Sequence, residues 1–166
     1  MLPEALKQAG VLRVGVISDT HGLLRAQAMA FLQGCDHIVH GGDIGGPDIL
    51  RQLAALAPVT AVRGNNDMQA WAASLPHTRL LELGGVKIFV IHNLDELQSE
   101  PCPAGVRVVL SGHSHRPMVR ERDGVLYVNP GSAGPRRFKL PVSVAQLEIR
   151  GSSVTPQLVQ LRIAAG

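Results

Sequence analysis

The chain has 166 residues, 45% hydrophobic and 17% charged, with a formal net charge of +3. That length and balance suit one folded domain with a substantial core, and they exclude a charge-driven disordered chain. No run approaches the ~18 apolar residues of a membrane span, and the basic balance favours anionic ligands without by itself arguing nucleic-acid binding.

Residues 1–10 read as a short amphipathic lead-in helix, with no basic-then-apolar secretion signal. The apolar run 11–17 reads as a buried strand. Helical spacing of Leu24, Ala28, Phe31 and Leu32 predicts a helix over 23–33, stopped by Gly34. A strand follows at 37–40, then a helix over 47–56 with Pro47 in its first turn, then a strand at 59–62. Residues 68–76 read as irregular or a short helix.

Strands at 78–83 and 86–91 flank Gly84-Gly85, a hairpin signal. An apolar strand covers 106–110. Two more hairpins are expected: 118–122 with 125–129 around Asp123-Gly124, and 143–150 with 154–161 around Gly151-Ser152-Ser153. The first part alternates strand and helix, and the second is mostly antiparallel. The expectation is a single α/β sandwich domain over residues 1–166, with a mixed sheet.

Five of these strands end in residues that bind metals. They run into Asp19-Thr20-His21, Gly42-Asp43, Gly64-Asn65-Asn66-Asp67, His92-Asn93 and Gly112-His113-Ser114-His115. Strand ends of α/β sheets gather at one edge, where ligands bind. Two Asp, one Asn and four His there exceed the needs of one metal and suit two. Oxygen and imidazole donors favour Mn, Fe, Zn or Ni over Ca. Read as extended segments, Asp19-x-His21 and His113-x-His115 each put two ligands on one side. Asp43, after two glycines, could bridge two ions. Paired ions are the arrangement of phosphatases and nucleases, and with two carboxylates and a hydroxide they leave a formal charge of roughly +1 that attracts a phosphate ester.

This ordered motif series, together with Asn129-Pro130-Gly131-Ser132, resembles the calcineurin-like metallophosphoesterases, more narrowly their small single-domain bacterial and archaeal phosphodiesterase branch, from about Val11 to Leu161. The resemblance implies a four-layer sandwich of two mixed β-sheets flanked by helices, with the site at strand ends. It implies a cytoplasmic phosphodiesterase working by attack of a metal-bridging hydroxide. Asp19, His21 and His115 would hold the first ion, and Asn65, His92 and His113 the second. Asp43 would bridge. Asn65 would also meet the substrate phosphate, and Asp67 would orient a neighbouring ligand. Mn is the first expectation for the metal.

The chain departs from that pattern at the leaving-group side. Many members carry His where Asn66 stands, and an amide does not titrate, so it cannot act as a general acid. His92 is followed by Asn93-Leu94-Asp95, which supplies no obvious acid either. Other residues have ordinary readings. His37 and His77 read as surface or satisfied core residues, and His40 as a support for the site. Asp36, Asp48 and Asp95 read as turn or helix-start residues. Cys35 and Cys102, without a C-x-x-C pattern, read as free thiols of a reducing compartment. Asn129–Ser132 is read equally as a tight turn or as a phosphate contact through backbone N–H groups, and Arg136 and Arg137 as solvated or as phosphate contacts.

Two other functions stay open from the sequence. One is a non-catalytic scaffold, since a eukaryotic retromer subunit resembles this fold with part of the ligand set lost. The other is a nuclease, which the basic balance favours. Three Phe, one Tyr and one Trp offer little for stacked bases, which weighs against it. The carboxyl-terminal hairpins leave strand edges through which a homo-oligomer could form.

Overall fold

The computed structural model describes residues 10–98 and 102–163, so the lead-in helix expected over 1–10 lies outside them but for Gly10. The chain order is β1 (Val11–Ile17), α1 (Ala26–Leu32), β2 (His37–His40), α2 (Pro47–Ala54), β3 (Val59–Ala61), β4 (Thr78–Leu83), β5 (Val86–Ile91), β6 (Val108–Leu110), β7 (Met118–Arg122), β8 (Val125–Asn129), β9 (Ser143–Arg150) and β10 (Ser153–Gln160). Short 3-10 turns cover Ala70–Ala72 and Leu94–Gln98.

Two five-stranded mixed sheets form, in the orders β10-β9-β1-β2-β3 and β4-β5-β6-β8-β7. In the first sheet β1, β2 and β3 run parallel, and β9 and β10 are antiparallel additions. In the second, β5, β6 and β8 run parallel between antiparallel β4 and β7. The hairpins form where the turn residues demand. Gly84 and Gly85 both have positive φ, as do Asp123 and Gly124, the backbone of a tight two-residue turn that matches strand twist. Pro156 sits in β10, an outer strand, where a missing N–H is tolerated.

The period-two pattern of the strands sorts side chains into layers. Val14 and Val16 of β1 and Ala145, Leu147 and Ile149 of β9 face Val86, Ile88, Val90, Val108, Leu110, Leu126 and Val128 of the other sheet. The other face of the first sheet, with Ile17, Ile38 and Val144, is covered by Ala28 and Leu32 of α1 and Ile49 and Leu53 of α2. The outer face of the second sheet, with Phe89, Ile91 and Val109, is covered by Leu94, Leu97 and Cys102. That layer is a 3-10 turn and loop rather than a full helix, so the described residues carry few helices. Both cysteines are free, Cys35 buried under α1.

Several boundaries differ from the periodic reading. Helix α1 starts at Ala26, because residues 20–25 are committed to the loop above β1. Leu23 N–H bonds Thr20 O, Gly22 N–H bonds Ile44 O, and the Arg25 guanidinium donates to Gly134 O. Helix α2 ends two residues early, at Ala54. Strand β6 begins at Val108, after Val106 has turned into the outer cluster. Strand β10 begins at Ser153, leaving a Gly151-Ser152 turn.

Candidate metal centre

The carboxyl ends of β1, β2, β3, β5 and β6 meet along one edge, and the loops leaving them carry the seven residues singled out as ligands. The first cluster is Asp19, His21 and His115. Asp19 Oδ1 lies 3.4 Å from His115 Nε2 and 3.9 Å from His21 Nε2, and the two imidazole Nε2 atoms are 3.4 Å apart. The second is Asn65, His92 and His113. Asn65 Oδ1 lies 3.0 Å from His92 Nε2 and 3.2 Å from His113 Nδ1. Asp43 lies between them: its Oδ2 is 3.7 Å from His21 Nε2 and 3.4 Å from His92 Nε2. Asp19, His21 and His115 form one group able to hold a cation, and Asp19, Asp43 and His92 another.

The local backbone corrects one expectation. Asp19, His21, His113 and His115 are not in extended segments. Each has positive φ, between 45° and 72°, and so does Asp43 at 55°. Asp, Asn and His tolerate this left-handed region better than other residues do, at a cost of order 1–3 kcal/mol each in strained cases. The loops are therefore sharp kinks that aim side chains inward, and the pairs converge by that kink rather than by strand alternation.

Asp19 shows the fit to a cation most directly. Its Oδ2 accepts from Ser18 Oγ at 2.7 Å and from His113 N–H at 3.1 Å. Its Oδ1, fully buried and aimed at the imidazoles, has no hydrogen-bond partner, and neither has His115 Nδ1. A buried carboxylate oxygen without a partner costs free energy, and the ring of imidazoles around it suits a divalent ion.

Burial by itself would raise the Asp19 carboxyl; the adjacent His115 and His92 imidazoles and the Ser18 hydroxyl overcome that and hold it below the ordinary range. Asp43 is likewise pushed up by burial and pulled down further by His92 and the Asn66 N–H, ending well below. His21 is lowered by burial, only partly offset by Asp43 and Asp19. His92 is desolvated too, but Asp43 and Asp19 bring it above its ordinary value. Its Nδ1–H donates to Gly41 O at 2.7 Å, which aims Nε2 at the site.

Behind these side chains stands a frame that sequence reading found only in part. Asp67 was expected to orient a ligand. Its carboxylate accepts three backbone N–H groups, from Ile44, Gly45 and Gly64, tying the Asp43 loop to the Asn65 loop through backbone rather than through a ligand side chain. His40 is fully buried and bridges two loops: Nδ1 accepts from Gly42 N–H, so Nε2–H donates to Thr20 Oγ1. Burial pushes its pKa down to about 4 against the pull of Asp19 and Asp67. Asn66 donates to Asp43 through both its N–H and its side-chain amide.

Asn129–Ser132 lies beneath the site as a buttress. Asn129 Nδ2 donates to Gly112 O, its Oδ1 takes Gly131 N–H, and Ser132 Oγ donates to Asp19 O. Sequence reading gives Asn129–Ser132 as a turn or a phosphate contact, but its bonds to Gly112 and Asp19, and the bond of Ser18 to Asp19, are not legible there, because a buried hydroxyl or amide leaves no spacing signal. His37 bonds Thr60 Oγ1, as a satisfied histidine would. His77 accepts from Arg63 Nη2 and, with Arg63, lines a groove beside Asn65, His92 and His113. Asp36 bonds Arg13 N–H, and Asp48 sits in the first turn of α2.

The calcineurin-like phosphoesterase superfamily domain matches this chain over residues 12–152. A probable metallophosphoesterase from Methanothermobacter thermautotrophicus is 34% identical over 160 residues, covering 89% of this chain and 91% of that protein. A phosphodiesterase from Methanocaldococcus jannaschii is 26% identical over 138 residues, covering 72% of this chain and 83% of that protein. Among solved structures, Vacuolar Protein Sorting 29 from Cryptosporidium parvum superposes with a TM-score of 0.78 at 19% identity, covering 92% of each chain. That likeness speaks for the fold.

Proposed function

The chain belongs to the calcineurin-like phosphoesterase superfamily, and on that premise we propose that it is a cytoplasmic, single-domain phosphodiesterase working with two divalent ions. In this reading Asp19, His21 and His115 would hold one ion, Asn65, His92 and His113 would hold the other, and Asp43 would serve both. The observation that carries it is the Asp19 carboxylate, buried with one oxygen unpartnered in a ring of imidazoles. Manganese is the first choice, and Fe, Zn and Ni suit the same donors.

Such ions, when bound, make hydroxide available near neutral pH and draw charge off the phosphate oxygens. The chain's own residues do the rest. Asp43, held ionised by Asn66 and His92, supplies the central negative charge. Asn65, exposed at the groove, contacts the substrate phosphate. The new P–O bond forms as the bond to the leaving oxygen breaks, giving a phosphomonoester and an alcohol or phenol whose proton comes from water.

Asn66 stands where a general acid is expected and cannot give that proton, because an amide does not titrate and this one is engaged with Asp43. Aryl diesters are therefore cleaved faster than alkyl diesters by on the order of a hundredfold or more, the usual worth of a missing general acid. The test is elemental analysis of the purified chain, beside hydrolysis of a series of 4-substituted phenyl diesters with added Mn. Two ions per chain and a steep leaving-group dependence are expected. An ion-free, inactive chain would overturn the reading in favour of a scaffold.

A further inference from the structure

We propose that the loop 135–140 selects the substrate: Phe138 stacks on the base of a nucleotide-bearing phosphodiester, and Arg137 meets its negative charge. This rests on the phosphodiesterase reading and names its substrate class. The loop leaves from the site itself. Ala133 N–H bonds Ser18 O, and a Cβ on Gly134 would fall 2.4 Å from Thr20 O and 2.5 Å from Asp19 O. Chain 132–134 thus runs directly against the loop that carries Asp19 and His21. Arg137 follows three residues later, within a reach of roughly 11 Å of that contact.

The loop is built to present one ring. Leu140 N–H bonds Arg137 O, closing a four-residue turn with Phe138 and Lys139 at its tip. Arg136, one of the two arginines in question, spends its Nε–H on Leu140 O and so braces the turn. Phe138 is 93% exposed and has φ 53°, a backbone that glycine or asparagine would fill at less cost. An aromatic residue is thus held open to solvent, in an unfavourable conformation, between Arg137 and Lys139.

The other aromatics are engaged. Phe89 is buried in the outer cluster and Tyr127 packs on it. Trp71 packs against the helical layer, and the Arg13 guanidinium lies over the Phe31 ring. One free ring near the site serves one base. Stacking with neighbouring cations is the common physics of base and backbone recognition, and a single platform matches a nucleotide ester rather than a polymer.

The experiment compares kcat/KM for thymidine 5′-(4-nitrophenyl) phosphate and methyl 4-nitrophenyl phosphate, with Mn present. They share a leaving group and differ only in the retained arm. The thymidine ester is expected to be preferred. Phe138→Ala should lower that preference roughly five- to hundredfold, and Phe138→Trp should keep it. Turnover of both esters with a ratio indifferent to residue 138 would overturn this inference alone, and would be the result if the ring serves a protein contact. Turnover of neither would overturn the phosphodiesterase reading and this one with it.

Discussion

The two halves of the candidate metal centre hold the same kinds of donor in different surroundings. Asp19 and His115 are buried, and His21 is half-buried. Asn65 and His113 are exposed, and only His92 on that side is buried. A bare carboxylate oxygen in the first cluster has no water to turn to, whereas the Asn65 amide in the second can be hydrated. The difference teaches that burial, not ligand identity, sets how strongly each half demands a cation. The first half should bind tightly, and the second should exchange with solvent.

The largest blow falls on both halves together. Asp43→Asn removes the carboxylate that lies 3.7 Å from His21 and 3.4 Å from His92, and turnover should drop on the order of a thousandfold, as for the loss of a main electrostatic stabiliser. Steady-state kinetics beside metal content checks this, and wild-type turnover with two ions retained would sink the bridging role.

His40 braces both halves through Thr20 and Gly42. Its folded pKa, about 4, lies below the ordinary 6.5, so below pH 6.5 the unfolded chain binds a proton that the folded chain refuses. Its contribution is whole above pH 6.5 and is lost as pH falls toward 4, by on the order of 3 kcal/mol. Urea unfolding of wild type and His40→Asn across that range should show a shallower pH slope in the variant. Equal slopes would remove His40 from the account.

A third comparison separates the halves. After dialysis against a weak chelator, His115→Ala should retain the tighter ion about 10- to 100-fold less well than wild type, whereas His113→Ala should keep it and lose only the weaker one. Reversed behaviour in elemental analysis would mean that burial does not rank the sites.

The smallest effects come from glycine. An alanine Cβ at position 64 would meet Asp43 Oδ1 at 2.1 Å, and at position 112 would meet Ser18 Oγ at 2.1 Å and Asp19 Oδ2 at 2.6 Å. Each substitution should cost about 1–3 kcal/mol by thermal unfolding. Gly64→Ala should disturb the exposed half and Gly112→Ala the buried one, which Mn titration would distinguish.

The strands and their turns were legible because their signals are local. Gly84-Gly85 and Asp123-Gly124 demand their backbone shape wherever they occur, and Val14 and Val16 alternate with Gly15 and Ile17 whatever lies opposite. The start of α1 was not legible, since residues 20–25 are held by Ile44 and Gly134, far along the chain. The same holds for Asp67 and Asn129. Their types fit many loops, and only the approach of distant backbone gives them their partners.

The sequence by itself determined the ordered set of strand-end donors and the family they mark, because periodicity and ligand chemistry are written residue by residue. Only the tertiary structure decided how those donors converge. Five of them lie in left-handed kinks instead of extended strand ends, and the Asp19 Oδ1 atom is buried without a partner only once the distant His113–His115 loop has folded against it. Burial and convergence belong to contacts between segments distant in sequence, and no local pattern encodes them.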